Sequence, residues 1–249
     1  MSPDRDSGEA RAIRVLTLNA HQGMNAAHRH AALLRIRAAL RQSGADLVFL
    51  QEIGVAAGAE SPVNQYEVLA DEVWPEHAYG RNAAITGGHH GNALLSKYPI
   101  AASQNLDVSH GRAEARGMLH CVLEIPGTAS RVHAVCVHLA LRESHRRAQV
   151  RRLVEFVSAA VPDGAPLVVA GDFNDWREHA HRMLQRDLGL ESIHRDPDGR
   201  PPRSFPARRP VLRLDRIYVR NLQHRPIEMP SRDWAALSDH AALMGEMWL

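Results

Sequence analysis

Asp172 and Asn174 close the run Val168-Val169-Ala170-Gly171-Asp172-Phe173-Asn174, an apolar strand that ends in a carboxylate and an amide two residues apart. Side chains two apart on an extended segment point the same way. Asp172 is then placed to hold or deprotonate a water while Asn174 donates a hydrogen bond to developing negative charge. Gly171 lets the backbone turn there. Taken alone, the same residues suit an ordinary turn, because Asn and Asp bond back to their own backbone. The rest of the chain repeats the arrangement. One strand pattern ends at Asn19, a second at Glu52 in Asp46-Leu47-Val48-Phe49-Leu50-Gln51-Glu52, and another at His138. Asp215 sits in Arg213-Leu214-Asp215-Arg216-Ile217-Tyr218, and Ser238-Asp239-His240 precedes the last strand. Carboxylates, amides and imidazoles at strand ends are groups that meet a metal ion or a phosphate, and all of them are expected along one rim.

The elements that must position these residues alternate between short apolar runs and helical patterns, as in an α/β protein. Strands are expected at 13–18, 46–50, 92–96, 100–106, 117–125, 131–139, 167–170, 213–219, 223–227 and 241–248. Helices are expected at 31–40, where Leu33, Leu34, Ile36 and Leu40 recur at helical spacing before Gly44, and at about 63–74, 141–160 and 176–188. The segment 77–82 follows the helix expected at 63–74. In the 141–160 helix, Leu153, Val154 and Val157 face inward and the exterior is basic. Residues 196–210, rich in Pro, Arg and Gly, read as a long loop. Consecutive strands with short links imply antiparallel pairing, not a doubly wound parallel sheet.

With 249 residues, a net charge of +2 and no apolar run long enough to span a bilayer, the chain has the composition of a cytoplasmic globular protein. Residues 1–11 read as a flexible tail without the apolar core of a signal peptide, and 12–249 as a single catalytic domain. No global basic field announces a nucleic-acid or membrane partner. Locally, all but one of the 30 basic residues are arginine, Lys97 being the exception, and guanidinium is well shaped for bidentate contact with phosphate. Arg142, Arg146, Arg147, Arg151 and Arg152 follow His138, while Arg200, Arg203, Arg208, Arg209 and Arg213 surround the long loop. They would track an extended polyanion or an anionic bilayer if they border the cleft, and form a solvated face if they do not. Cys121 and Cys136 flank a turn and are expected near-opposite on a hairpin, reduced.

In their order, and through Gly91-Asn92-Ala93-Leu94-Leu95-Ser96 and Arg213-Leu214-Asp215-Arg216-Ile217-Tyr218, these motifs resemble the endonuclease/exonuclease/phosphatase superfamily of metal-dependent phosphoesterases. The resemblance covers roughly 13–249, and within the superfamily it points to the bacterial YbhP-like branch. It implies a DNase I-like α/β (α+β) fold, a four-layer sandwich of two mostly antiparallel β-sheets flanked by helices, with the site at one end. It also implies Mg2+ (or Mn2+) held by Asn19, Glu52 and Asp239. His138, Asp172, Asn174, Asp215 and His240 correspond to catalytic residues. Asp172 would position or deprotonate the nucleophile and Asn174 bind phosphate. Asp215 would orient His240, whose action as base or as cation stays open, and His138 would bind phosphate or assist the leaving group. Asn92 and Arg116 are candidate substrate contacts, each with a structural alternative: a turn for Asn92, a surface salt bridge for Arg116.

His21 stands where some branches carry a carboxylate or asparagine, and its role is open, as are those of His89 and His90 in the loop before Gly91. Trp176 after Asn174-Asp175 and Leu214 before Asp215 depart from the inositol polyphosphate 5-phosphatase pattern, and residues 87–93 from that of the abasic-site endonucleases. The expected reaction is metal-dependent hydrolysis of a phosphodiester by an activated water, in nucleic acid or in a phospholipid or small phosphodiester. Peripheral contact with anionic surfaces fits the arginines. The alternatives are a phosphomonoesterase and a non-catalytic scaffold.

Overall fold

Hydrophobic alternation in the first strand, β1 (Ile13–Asn19), already defines two faces. In the computed structural model Ile13 and Val15 enter one apolar cluster, Leu16 and Leu18 another. The structure describes residues 12–21, 29–56, 63–85, 88–110 and 114–249, so the expected tail at 1–11 lies outside it. After β1 come α1 (Arg29–Ser43), β2 (Leu47–Ala56), β3 (Val63–Asn64), α2 (Gln65–Ala70), β4 (Glu76–Ile85), β5 (Gly88–Ser96) and β6 (Ile100–Asp107). Next are β7 (Gly117–Glu124), β8 (Arg131–His138), α3 (Glu143–Ala160), β9 (Leu167–Asp172), α4 (His179–Leu188) and β10 (Glu191–Ser192). The chain closes with β11 (Asp215–Arg220), β12 (Gln223–Ile227), α5 (Ser231–Trp234) and β13 (Leu243–Trp248).

One sheet has the order β12-β13-β1-β2-β5-β4 with β3 added beside β2, and the other β10-β11-β9-β8-β7-β6. All pairings are antiparallel except β1–β2 and β8–β9. Between the sheets lie Val15, Phe49, Leu94, Leu119, Cys136, Val168 and Ile217. Outside the first sheet, Leu33, Ile36 and Leu40 of α1 cover Leu16, Val48 and Leu50. Outside the second, Val150, Leu153 and Val157 of α3 and Leu184 of α4 cover Val135, Val137 and Val169. The expected four layers are thus present. Burying each such side chain contributes about 1.5–3 kcal/mol.

Differences from the sequence reading have local causes. The α2 helix stops at Ala70 because Asp71 turns to φ 46°, yet Trp74 stays buried and donates from Nε1 to the Ala45 carbonyl at 3.1 Å. Segment 77–82 belongs to edge strand β4, whose polar residues conceal it. The fourth helix starts at His179 instead of 176, where Asp175 accepts the backbone N–H groups of His179 and His181 (3.0 and 3.1 Å). The basic exterior of α3 is also not uniform, because Arg146 is buried. Cys121 pairs with Ala134 and Cys136 with Leu119, offset along the hairpin, and both are free and buried.

Gly171 is the position the β8–β9 pairing most strictly requires. Its φ is 145°, and a Cβ there would sit 1.9 Å from the Val137 carbonyl oxygen. Gly171→Ala is expected to cost on the order of 2–4 kcal/mol by straining this backbone. A shift of the urea midpoint to lower concentration checks it, and an unchanged midpoint would contradict this packing.

Candidate active site

Strand pairing gathers the candidate residues at one end of both sheets. The parallel β1–β2 register sets Asn19 beside Gln51, and the parallel β8–β9 register sets His138 beside Asp172. Antiparallel β11 begins where β9 ends, so Asp215 stands opposite Asp172. Glu52 arrives through an irregularity. The register of β2 against β5 shifts between Leu50 and Ile53, and Glu52 takes φ 55°. A bulge of this kind re-aims one side chain without ending the strand. Asn174 (φ 49°) and His21 (φ 29°) are also left-handed, a cost usually carried at functional sites.

Asp172 lies at the centre, only 1% exposed. Its Oδ1 accepts the Asn174 backbone N–H at 2.9 Å, and its Oδ2 accepts Asn19 Nδ2 at 3.1 Å. Asp172 and Asn174 are therefore neighbours because the chain turns after the strand, not because they share a strand face as the spacing suggested. Asn174 Nδ2 donates one hydrogen to the Leu139 carbonyl at 3.0 Å, leaving its second amide hydrogen for another acceptor. Burial, with the Asp215 charge beside it, pushes the Asp172 carboxyl up to about 6 despite His240 and the donors on its oxygens.

Two histidines flank Asp172 in opposite states. His138 Nε2 is 3.6 Å from Asp172 Oδ2 and 3.9 Å from Glu52 Oε1. Burial, then the positive charge of Arg116, His240 and His90, holds its pKa well below the usual histidine value, so it is neutral at pH 7. His240 Nδ1 is 2.8 Å from Asp215 Oδ2, and its Nε2 is 3.9 Å from Asp172 Oδ2. Burial is the largest single influence and lowers it, but Asp215, by charge and hydrogen bond, together with Asp172 and Asp239 carries the imidazole up to about 10. Its other contacts fix it too. The His240 N–H donates to Ser238 Oγ, which itself donates to the Asn19 carbonyl at 2.7 Å, and the Phe205 ring lies 4.9 Å away.

At the outer side of the site, Glu52 and Asp239 are more open, their side chains 24% and 40% exposed. The His21 imidazole lies between them, with Nδ1 3.3 Å from Glu52 Oε2 and Nε2 3.9 Å from Asp239 Oδ2. Asn19 presents its amide nitrogen to Glu52 Oε1 at 3.2 Å, while its oxygen accepts the His21 backbone N–H at 3.0 Å. That N–H requires an acceptor, which fixes the amide's orientation. Deeper in, Asp172, Asp215 and His240 present ligand atoms all within 4.8 Å of one another, a spacing a metal ion could share.

The remaining candidates are spread around this centre. Asn92 links the two sheets, its Nδ2 donating to the Gly117 and Cys136 carbonyls (2.9 and 3.3 Å), with its Oδ1 buried and unpartnered. Arg116 holds Glu114 at 3.7 Å and acts on His138 and His90 by its charge, so it borders the site. His90 feels the Glu52 carboxylate, whereas His89 is hydrogen-bonded to the Tyr79 hydroxyl at 2.8 Å. The sequence reading assigned no role to Asp175, which is fully buried between Arg216 and Arg146 (3.0 and 3.8 Å). It also missed Ser204, whose Oγ accepts the Asp215 backbone N–H at 3.0 Å. Asp175 follows Asn174 directly and Arg216 follows Asp215, so adjacency was the available signal.

The model of the Endonuclease/Exonuclease/phosphatase family matches residues 16–240. The uncharacterised protein YbhP of Escherichia coli (strain K12) is 46% identical over 253 residues, covering 98% of this chain and 99% of its own. The human nocturnin catalytic domain with bound sulfate anion is similar with a TM-score of 0.75 and 19% identity, over 95% of this chain and 93% of that one. ANGEL2, a 2′,3′-cyclic phosphatase, is similar with a TM-score of 0.70 and 14% identity, over 96% and 95%. At these identities the two structures speak for the fold.

Asp215→Asn is expected to bring the His240 pKa down from about 10 toward the ordinary value near 6.5, read from imidazole NMR shifts in metal-free protein. A raised folded-state pKa contributes stability that is fully present below about 6.5 and is lost as pH rises through about 10. The variant should therefore lose stability relative to the parent below that window and approach it above pH 10. An unchanged His240 titration would contradict the pairing.

Proposed function

Because this chain belongs to the endonuclease/exonuclease/phosphatase family, we propose that its phosphoesterase site performs metal-dependent hydrolysis of a phosphodiester by an activated water. The observation that carries this reading is Asp172, held by Asn19 and Asn174 between a neutral His138 and a cationic His240. A base works best when its pKa lies near the operating pH, and a carboxyl raised to about 6 meets that condition better than an ordinary aspartate. The water oxygen forms its bond to phosphorus as its proton passes to Asp172, and the opposite ester bond breaks, its electron pair staying on the leaving oxygen. The free amide hydrogen of Asn174 and the His240 cation face the charge that grows on the phosphoryl oxygens. His240 thus serves as a charged stabiliser, with Asp215 holding its Nδ1 proton. Neutral His138 donates a hydrogen bond to phosphate, and Arg116 adds positive charge at the border.

The donor set fits Mg2+ or Mn2+. Such ions want hard oxygens and keep several waters, as the exposed carboxylates of Glu52 and Asp239 allow. Asn19 would join them through its side-chain oxygen, which also accepts the His21 N–H. The deeper Asp172, Asp215 and His240 trio suits a proton better, being buried, with Asp215 already bonded to His240 at 2.8 Å. A bound metal would supply Lewis acidity at a phosphoryl oxygen. Similarity to ANGEL2, a 2′,3′-cyclic phosphatase, and to nocturnin, which holds a sulfate anion, supports phosphoester chemistry on this fold.

Purified protein is expected to cleave a chromogenic phosphodiester with Mg2+ or Mn2+, faster than the matching monoester, and to stop with chelator. Glu52→Ala and His240→Ala should each lower kcat roughly a hundred- to ten-thousand-fold. Turnover equal to the parent in both variants would refute the assignment, and no turnover of any ester would favour a binding scaffold.

A further inference from the structure

Both helices of the second outer layer start just behind the site. The α3 helix begins five residues after His138, and α4 five residues after Asn174. Between them runs a groove of about 370 Å³ lined by Arg147, Arg151, His179, Arg182, Met183 and Arg186. We propose that this groove is a second phosphate-binding site, which holds one strand of a nucleic acid running away from the catalytic rim.

Charge and spacing carry the inference. Arg147 and Arg151 stand one turn apart on α3, as do Arg182 and Arg186 on α4, a rise of about 6 Å. That step is comparable with the separation of successive phosphates on an extended strand. Near the rim, the single carboxylate of Glu143 draws Arg147 (2.6 Å), His179 (2.7 Å) and Arg177 (3.1 Å) together. An anion already collects cations there, and more positive charge gathers than Glu143 balances. Farther along, Arg151 and Arg182 have no acidic partner within ion-pair distance among the described residues, and Arg186 is held by Asp187. Acids do stand one turn away, Glu143 and Glu155 on α3 and Glu178 ahead of α4, but Glu143 is shared among three basic side chains and Glu178 is taken by Arg200.

In the chain, Leu141 and Trp176 fall between the site residues and the starts of α3 and α4, and they are exposed by 57% and 40%. The Arg146 guanidinium, 5.2 Å from the Trp176 ring centroid, steadies the indole. A steadied, exposed indole at the head of a guanidinium-lined groove is the combination that stacks a base and tracks its backbone. A strand seated between the two arginine rows would meet guanidinium groups from both helices. The inference rests on the phosphodiesterase reading and makes its substrate a polymer.

The test uses the full chain in chelator with a fluorescent 12-nucleotide single-stranded DNA, titrated at several salt concentrations. Arg151→Glu/Arg182→Glu should weaken binding at least about tenfold. Arg151→Ala/Arg182→Ala should lower the slope of log affinity against log salt by about 1.4, as for two lost phosphate contacts. Both variants should turn over the small chromogenic phosphodiester like the parent. Unchanged affinity and slope in both would overturn the proposal, as would loss of binding to anionic phospholipid vesicles with oligonucleotide affinity intact. Oligonucleotide binding by a parent that hydrolyses no ester, weakened as expected in the variants, would leave the groove standing and remove only the catalytic reading.

Discussion

Two carboxylates, Asp172 and Asp215, face each other across β9 and β11 where almost no water reaches. Like charges in such a place cannot both ionise without a cation between them. His240 is that cation, bonded to Asp215 and lying beside Asp172. The protonation states of the site follow from this one constraint. His240 is held charged, that charge helps keep His138 neutral, and Asp172, desolvated and facing Asp215, ends with a carboxyl near 6. A carboxyl near 6, a neutral imidazole and a fixed positive charge thus arise from one arrangement of the backbone.

The fold makes that arrangement from two parallel pairings in otherwise antiparallel sheets. Parallel neighbours run toward the same edge, so Asn19 meets Gln51, just before Glu52, in one sheet, and His138 meets Asp172 in the other. Regular strands alone would not finish the work. Glu52 needs the bulge after Leu50, and Asn174 needs a left-handed turn that also gives Asp172 a backbone donor. These strained residues are held by what surrounds them, including the Ser238 hydroxyl between Asn19 and His240.

Much of this was legible in the sequence because apolar alternation is dense in the central strands. The strand from Gln223 to Ile227 and the strand ends at Asn19, His138 and Asp172 match the pattern that the residues show. What stayed hidden has physical reasons. Strand β4 carries Glu76, His77, Arg81 and Asn82 at an edge, where alternation weakens. The reach of Asn92 between sheets depends on the distance between two layers, which no local pattern encodes. Arginine was the least readable residue, since the same side chain serves as surface charge and as buried ion-pair partner.

Arg146, Arg213 and Arg216 belong to the second kind. Arg213 is buried against Asp196 and the Pro201 carbonyl, and ties the long loop down beside β11. Arg216 and Arg146 close on Asp175 from β11 and α3, while Asp175 also receives two backbone N–H groups of α4. Removing either arginine would leave that buried carboxylate undercompensated, which costs far more than losing a surface pair. The carboxylate directly after Asn174 therefore fastens the turn at Asn174 to both helices at once. Arg147 and Arg151 on α3, and Arg182 and Arg186 on α4, are thereby carried on helices locked to the turn that positions Asn174. A strand lying along those helices would hold its phosphates at a fixed distance from the reacting one.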